Sequence, residues 1–249
     1  MHSFVAALRF LTILPIPGAM GTESGDLAAS TPCFPLVGLL IGLCSVPAAW
    51  LFVALLPPAV AALPIITLLF AFSGGLHLDG LADTADGLFS ARPREEMLAI
   101  MRDSRIGAMG VIALVILLLL KAASLASMDP DRLLAAVLLM PVAGRCAILV
   151  MMAVLPYARP EGGLGTLFYT RRSRLTGLWG GVFFLACSVL AAGPGGLAVA
   201  AFTLLVLLVF ALFLKKRLGG ATGDTLGASC ELAELCVALA FSCTLWGQA

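Results

Sequence analysis

The chain has 249 residues, of which 61% are hydrophobic and only 12% charged, and its mean hydropathy is +1.09. One soluble domain could not bury so much apolar surface, so the composition excludes an ordinary soluble protein and predicts a membrane protein. A formal net charge of +1 gives no basis for binding nucleic acid. The positions of the charged residues along the chain are therefore more informative than their sum.

The first predicted element is a short helix at the membrane surface. The stretch MHSFVAALRFLTILPIP is apolar like a signal peptide, but no basic region precedes its apolar part, which contains Arg9, and it has no convincing cleavage site. We therefore expect an amphipathic, interfacial helix that ends at Pro15 and Pro17.

About seven apolar runs are long enough to cross a bilayer, which takes about 20 residues of helix. The connections at Pro57-Pro58 and at residues 193–196 carry almost no charge, whereas the connections between them are long and polar. The sequence therefore predicts an all-α, polytopic helix bundle that forms one integral membrane domain, residues 1–249. The predicted spans are 33–56, 59–76, 107–126, 133–155, 176–192, 197–214 and 226–246.

The positive charges give this bundle an orientation. If the N-terminus is cytoplasmic, 12 of the 15 Lys and Arg residues fall on the cytoplasmic side, Lys121 and Arg132 fall on the other side, and Arg145 lies within a span. The positive-inside rule requires such a bias, so we predict an external C-terminus and an aspartate-rich loop that faces the cytoplasm. The 12 residues are Arg9, Arg92, Arg94, Arg102, Arg105, Arg159, Arg171, Arg172, Arg174, Lys215, Lys216 and Arg217.

Three aspartates occur together in the stretch GGLHLDGLADTADGLFSAR, residues 74–92. Asp79, Asp83 and Asp86 are spaced i, i+4 and i+7 and fall on one face of a helix. Carboxylates so close repel one another unless a divalent cation lies among them, and oxygen ligands suit Mg²⁺. The alternative is a solvated face at the end of a helix. Against it, the interleaved glycines weaken a helix unless a backbone or a ligand must come close.

His77 precedes Asp79 by two residues, which places it on roughly the opposite face of a continuous helix. It can serve as a ligand or general base only if the pair Gly74-Gly75 breaks that helix. A structural role, as a hydrogen-bonding residue at the interface, is the equal alternative.

A second polar group lies in KKRLGGATGDTLGASCELAEL, residues 215–235. Asp224 falls near the start of the last span, and Glu231 falls about 10 Å deeper on the same side of the helix. An intramembrane carboxylate is costly unless it is paired or lines a wet cavity, so Glu231 and Glu234 are functional candidates. The alternative for Glu234 is a structural ion pair with Arg145, near the middle of the fourth span.

Arginines surround these acids along the chain. In MRDSRIGAMG, Asp103 and Ser104 are placed to cap the N-terminus of the third span, beside Arg102 and Arg105, and YARPEGGLG adds Arg159. Helix N-termini, glycine-rich loops and arginines together favour phosphate. Membrane-surface arginines that obey the positive-inside rule are the alternative, above all for the TRRSR stretch with Arg171, Arg172 and Arg174.

An acidic metal cluster, phosphate-binding arginines and a membrane setting indicate phosphoryl or nucleotidyl-type transfer. CDP-alcohol phosphotransferases carry DGxxAR, where this chain has Asp83 in place of the arginine, and aromatic prenyltransferases carry two DxxxD motifs, of which only the first is matched. A transporter is the alternative from another class, because buried carboxylates and broken helices also mark ion pathways. Transport sites lie near mid-membrane, whereas these aspartates collect at one face.

The sequence closely resembles the cobalamin synthase family, the adenosylcobinamide-GDP ribazoletransferases. The strings HLDGLADTADG and RDSRIG are highly specific, and the matching strings follow the family's order over nearly the whole chain. Two departures, Ala143 for an expected serine and Ala221 for a common glutamine, leave the carboxylates untouched. The strings are ALRFLTILPIP, FPLVGLLIG, GGLHLDGLADTADGLFSAR, MRDSRIGAMG, YARPEGGLG and LGGATGDTLGASCELAEL.

The resemblance implies the last assembly step of the cobalamin nucleotide loop, at the cytoplasmic membrane, with the active site facing the cytoplasm. Adenosylcobinamide-GDP and α-ribazole, or its 5′-phosphate, become adenosylcobalamin, or its phosphate, and GMP, with Mg²⁺ as cofactor. Further expected partners are the lipid bilayer, a second copy of the chain in a homo-oligomer and other late enzymes of cobalamin synthesis. We assign metal binding to Asp79, Asp83 and Asp86, catalysis to these three with His77 and Glu231, and substrate or phosphate binding to Arg102, Asp103, Ser104, Arg105, Arg159 and Asp224.

Overall fold

The structure, a computed structural model, describes residues 1–159, 161–162, 164–170 and 173–243. Within these ranges the secondary structure is helical, with two 3₁₀ turns at Thr31–Cys33 and Leu164–Phe168 and no β-strand. The α-helices are α1 (His2–Leu11), α2 (Ser24–Ala28), α3 (Phe34–Leu55), α4 (Pro58–Phe72), α5 (Leu76–Leu88), α6 (Arg94–Ile100), α7 (Ala108–Ala126), α8 (Pro130–Val154), α9 (Ser173–Ala192), α10 (Gly195–Leu218) and α11 (Gly223–Ser242).

The predicted all-α membrane bundle is confirmed. Six described helices are long and apolar enough to cross a membrane: α3, α7, α8, α9, α10 and α11. A seventh crossing is added if α4 and α5 count as one span, but their axes meet at 91°. The predicted continuous run 59–76 is therefore broken after Phe72, and the predicted end of the last span at 244–246 lies outside the described residues.

Two helices form the centre of the bundle. In the most apolar 18-residue stretches of α8 and α11, 78% and 83% of the residues are buried. The corresponding fraction in the other four spans is 28–33%. α8 packs against α3, α9 and α11, while α11 also packs against α5, α7 and α10. The outer spans expose large apolar side chains, as lipid-facing helices do, and this explains the hydropathy of the chain.

The expected N-terminal helix is present as α1, but it ends at Leu11 rather than at the prolines. Thr12 is extended, and Ile13 donates its backbone N–H to the carbonyl of Phe72, 2.8 Å away, at the end of α4. The Arg9 guanidinium donates to the backbone carbonyls of Ile16, Gly18 and Met20. These bonds fold the segment after α1 back onto the helix, so α1 stops before Pro15.

Lys121, which the charge count assigns to the external side, does not lie in a loop. It lies inside α7 and is only 4% exposed, so it is a buried charge. A count of charges along the sequence assigns a cation near the end of a span to the nearest loop, because the sequence alone does not show its buried partner. The orientation with the N-terminus in the cytoplasm stays a prediction.

Candidate active site

The turn between α4 and α5 sets up the site. Gly74 and Gly75 have φ of +60° and +77°, in the left-handed region that glycine tolerates, and they break the helix there. His77 thus lies in the first turn of α5, 3% exposed, and its Nε2 has no hydrogen-bond partner among the described residues. The helix break that a functional His77 requires is therefore present, and the catalytic role of His77 stays a prediction.

α5 and α11 approach each other closely at Gly80. A Cβ on Gly80 would lie 2.8 Å from the carbonyl oxygen of Asp224 and 3.3 Å from the Cα of Gly227, and Gly227 in turn faces the backbone of His77. The expectation that a backbone comes close to the interleaved glycines is confirmed for Gly80, where the close group is the α11 backbone, whereas Gly75 has no close neighbour. This contact brings the start of α11 beside the acidic turn of α5.

Asp86 holds the start of α7. Its two carboxylate oxygens accept hydrogen bonds from the backbone N–H groups of Gly107 (2.7 Å) and Gly110 (2.8 Å). The prediction that Asp103 and Ser104 cap this helix is wrong, because α7 begins four residues later and is capped by a carboxylate from another helix. Free N–H groups in the first turn attract an acceptor with negative charge, and Asp86 provides it.

The side-chain carboxylates of Asp79 and Asp83 have no hydrogen bond or ion pair to another described residue. Asp83 is half-buried and interacts electrostatically with Asp79, Asp224, Asp86 and Arg159. Among the described residues, no three His, Cys, Asp or Glu side chains are grouped so that they could hold a metal ion by themselves. The metal role of the three aspartates stays a prediction.

The donor set nevertheless fits Mg²⁺. This ion is usually bound by one or two carboxylates together with substrate phosphates and water, rather than by an all-protein cage. Asp79 and Asp83 are one helical turn apart on α5, and neither is neutralised by a cation in the described chain. They would hold the ion, while Asp86 is occupied by the backbone of α7.

Arg159 and Asp224 form a half-buried ion pair with an Nη2 to Oδ2 distance of 2.6 Å. Two backbone bonds place Arg159 there: Ala158 N–H to Ala221 O and Ala221 N–H to Pro156 O, both 2.8 Å. The pair uses one nitrogen of the guanidinium, and the Nε of Arg159 is buried without a partner among the described residues. Arg159 therefore keeps donors for a ligand.

The other predicted phosphate-binding residues do not line the cavity beside this pair and lie in the more exposed segment before α7. Arg102 pairs with Glu161 at 3.0 Å, and Arg105 pairs with Asp103 at 2.6 Å. Hydrogen bonds from Arg105 lower the pKa of Asp103 to about 2, so that pair is charged at neutral pH. Ser104 is exposed. Arg174 is the second residue of α9, whereas Arg171 and Arg172 lie outside the described residues.

A cavity of about 320 Å³ lies between α5, α11 and the segment after α8. Of the predicted site residues, His77, Asp79, Arg159 and Asp224 line it. Its other walls are apolar or aromatic, and the sequence analysis did not single out their residues, although several fall in the strings that carry the family resemblance. These lining residues are Phe10, Phe34, Leu76, Ile148, Met152, Tyr157, Phe168 and Leu226.

Tyr157 adds a hydroxyl group to the polar part of this lining. It interacts with Arg159, and burial raises the pKa of its phenol, so the group stays protonated at neutral pH. A neutral phenol can donate a hydrogen bond to a phosphate or sugar oxygen.

A second, more open depression of about 630 Å³ adjoins the cavity. Phe10, Leu76 and Asp79 line both spaces, so the two spaces meet at these residues. The depression is otherwise lined mainly by apolar side chains, among them Ile13, Ile106 and Leu114. Asp79 is the carboxylate that both spaces share.

A separate ion network lies deeper in the bundle. Lys121 donates to Glu231 (2.7 Å) and Glu234 (2.8 Å), and Arg145 donates to Glu234 (2.7 Å). The predicted pairing of Arg145 with Glu234 is confirmed. Glu231 is 4% exposed, faces Lys121 and does not line the 320 Å³ cavity, so the structure places it in this network.

Comparison with known proteins identifies close relatives over most of the chain. The profile of the family described as Cobalamin-5-phosphate synthase matches residues 3–242. The adenosylcobinamide-GDP ribazoletransferase of Roseiflexus sp. (strain RS-1) is 44% identical over 94% of this chain and 86% of its own length. Proteins of the same name from Acetivibrio thermocellus (41% identical, 90% of each chain) and Citrobacter koseri (40% identical, 95% of this chain and 98% of its own) also match. No solved structure matches the chain.

Proposed function

The chain belongs to the Cobalamin-5-phosphate synthase family, and we propose that it performs the final assembly of the cobalamin nucleotide loop as an adenosylcobinamide-GDP ribazoletransferase. The donor is adenosylcobinamide-GDP and the acceptor is α-ribazole or its 5′-phosphate. The products are adenosylcobalamin, or its 5′-phosphate, and GMP. The structural observation that best supports the proposal is the cavity, because Asp79, His77 and the Arg159–Asp224 pair line it together.

The reaction is a phosphoryl-type transfer to an alcohol. The 3′-hydroxyl oxygen of the ribazole forms a bond to the phosphorus attached to cobinamide, and the bond from that phosphorus to the bridging oxygen breaks. GMP leaves with the bridging oxygen, and the hydroxyl proton passes to a base. His77 is our candidate for that base, because its Nε2 is buried beside the cavity and has no partner among the described residues.

The pyrophosphate needs positive charge and hydrogen-bond donors. Arg159 supplies both, and the N-terminus of α11 begins beside it at Gly223. When bound by Asp79 and Asp83, Mg²⁺ supplies charge neutralisation for the pyrophosphate. Arg102 and Arg105 lie on the exposed surface nearby and are suited to attract an anionic substrate to the site rather than to hold its reacting group.

Placement in the membrane follows from the charges. We propose that the loops rich in arginine, together with the cavity mouth, face the cytoplasm, where both substrates are soluble. In this orientation, the turns between α3 and α4 and between α9 and α10 lie on the outer side of the membrane. The membrane itself is the cytoplasmic membrane of a prokaryote.

The test is a GMP-release assay with purified protein in liposomes, supplied with adenosylcobinamide-GDP, α-ribazole and Mg²⁺. Wild-type protein and Asp131→Asn, a control on the exposed start of α8, should release GMP and form a cobalamin product. Asp79→Asn should lose at least 100-fold of that rate. Substrate uptake into the liposomes without GMP release would contradict the proposal and favour a transporter.

A further inference from the structure

We propose that three phenylalanines of the 320 Å³ cavity form the binding site for the aromatic base of the acceptor nucleoside. They are Phe10, Phe34 and Phe168, which we call the aromatic wall. The inference rests on the proposed function. It means that the aromatic wall determines which base the enzyme accepts. The cavity's polar groups, by contrast, face the sugar and the phosphates.

The aromatic wall is assembled from three distant parts of the chain. Phe10 comes from α1, Phe34 begins α3, and Phe168 ends the second 3₁₀ turn. The ring centroids of Phe10 and Phe168 are 4.8 Å apart, those of Phe34 and Phe168 5.6 Å, and those of Phe10 and Phe34 6.1 Å. These separations are typical of interacting aromatic rings. Phe34 and Phe168 are nearly fully buried, so Phe10, which is partly exposed, offers a planar ligand the most accessible ring of the cluster.

The lining of the cavity divides by chemistry. Ile148 and Met152 of α8, both nearly fully buried, extend the aromatic wall. The charged groups come from the packed pair α5 and α11 and from Arg159. A ligand that matches this lining has a flat apolar part and oxygen-rich groups, as a benzimidazole nucleoside has.

Size supports the acceptor over the donor. Small-molecule sites range from about 300 to 1,000 Å³, and a cavity of about 320 Å³ suits a nucleoside. A corrinoid is several times larger and cannot enter it. The open depression of about 630 Å³ is also lined by Asp79, so donor and acceptor can reach this carboxylate from two adjoining spaces.

The chemistry of the wall also argues against guanine, the other aromatic base in the reaction. Guanine carries several polar edge groups, and burying one without a partner costs about 1–3 kcal/mol. None of the five side chains from α1, α3, α8 and the 3₁₀ turn that line this end carries a polar group other than the Met152 thioether. A benzimidazole has a mainly apolar edge and loses little on entering such a site.

Steady-state kinetics of Phe168→Leu and Phe10→Leu test the inference. Each change keeps an apolar side chain but removes a ring. In both variants we expect the KM for α-ribazole to rise about tenfold, which corresponds to about 1.4 kcal/mol. In Phe168→Leu, whose ring does not line the open depression, the KM for adenosylcobinamide-GDP should stay within twofold of the wild type. The matched control is Phe213→Leu on the exposed side of α10, which should change neither KM.

Binding of α-ribazole and of GDP by isothermal titration calorimetry provides a readout that needs no turnover. The variants should lose affinity for α-ribazole and keep affinity for GDP. Phe10 is only partly buried, so Phe10→Leu carries the test if Phe168→Leu does not fold. Loss of GDP affinity, an equal rise of both KM values in Phe168→Leu, or unchanged α-ribazole affinity in a folded variant would overturn the inference. A wild-type protein that binds α-ribazole but releases no GMP would contradict the proposed function alone.

Discussion

Arg145 donates a hydrogen bond of 2.7 Å to Glu234, and this pair joins the two central helices, α8 and α11, where the side chains are 2% and 7% exposed. Lys121 of α7 approaches the same carboxylate from the other side at 2.8 Å and also pairs with Glu231. Two cations and two carboxylates thus balance each other inside the bundle. A buried charge is tolerated when it is paired in this way, and the network ties three helices together.

Arg145→Ala should lower stability much more than activity. Removing one partner of a buried ion pair leaves an uncompensated charge and typically costs about 3–5 kcal/mol. We expect a clear drop in the thermal unfolding temperature in detergent, with the rate of GMP release per folded molecule within about threefold of the wild type. Arg132→Ala, near the exposed start of α8, serves as the control. Normal stability with lost substrate affinity would instead identify Arg145 as a substrate contact.

Lys121→Met should also destabilise the bundle, because it leaves two buried carboxylates opposite Arg145 alone. Adding Glu231→Gln should recover at least half of the lost unfolding temperature, since the charges then balance again as Arg145 and Glu234. The exchange Arg145→Glu with Glu234→Arg should not recover stability, because the new arginine would lie against Lys121. Recovery by this exchange would show that Lys121 is not part of the network.

Asp86→Asn tests whether this residue caps α7 or binds metal. Asparagine has one carbonyl oxygen and no charge, so it can accept only part of the bonds from Gly107 and Gly110. We expect a loss of about 1 kcal/mol in stability, in the range for helix caps. The Mg²⁺ concentration for half-maximal GMP release should stay within twofold. An increase of tenfold or more, as expected for Asp79→Asn, would assign Asp86 to the metal.

Chelation should reveal the need for Mg²⁺. EDTA should abolish GMP release, and added Mg²⁺ or Mn²⁺ should restore it, because carboxylate and phosphate oxygens prefer such ions to zinc. Asp83→Asn should remove activity while the protein still inserts into the membrane, since a neutral side chain of the same shape costs the fold little. Full activity after exhaustive chelation would disprove the metal proposal.

Cysteine labelling tests the orientation. In a variant without the seven native cysteines, Arg174→Cys and Lys216→Cys, both at exposed positions, should react with an impermeant maleimide only from the cytoplasmic side. Asp129→Cys, at the N-terminal cap of α8, should react only from outside. Labelling of position 174 from outside would invert the proposed arrangement and separate the cavity from its cytosolic substrates.

Much of the site could be read from the chain because local rules decide it. The spacing of Asp79 and Asp83 fixes them on one face of any helix, and the Gly74-Gly75 pair is a strong signal for a break. The partner of Arg145 could also be predicted, because a buried arginine requires an acid at a similar depth. In contrast, nothing local indicates that Asp86 caps α7, since that bond joins residues more than 20 positions apart.

The sequence by itself determined the class of protein, its helices and the positions of its charged residues. Hydropathy, helix period and glycine breaks are local signals, because each depends on residues within one or two helical turns. Only the tertiary structure decided which of these residues meet. It placed Lys121 inside the bundle, Glu231 in the ion network rather than in the cavity, and Phe10, Phe34 and Phe168 around one space. The reason is physical: helix packing is set by close contacts such as Gly80 against α11, and it selects partners that are far apart along the chain.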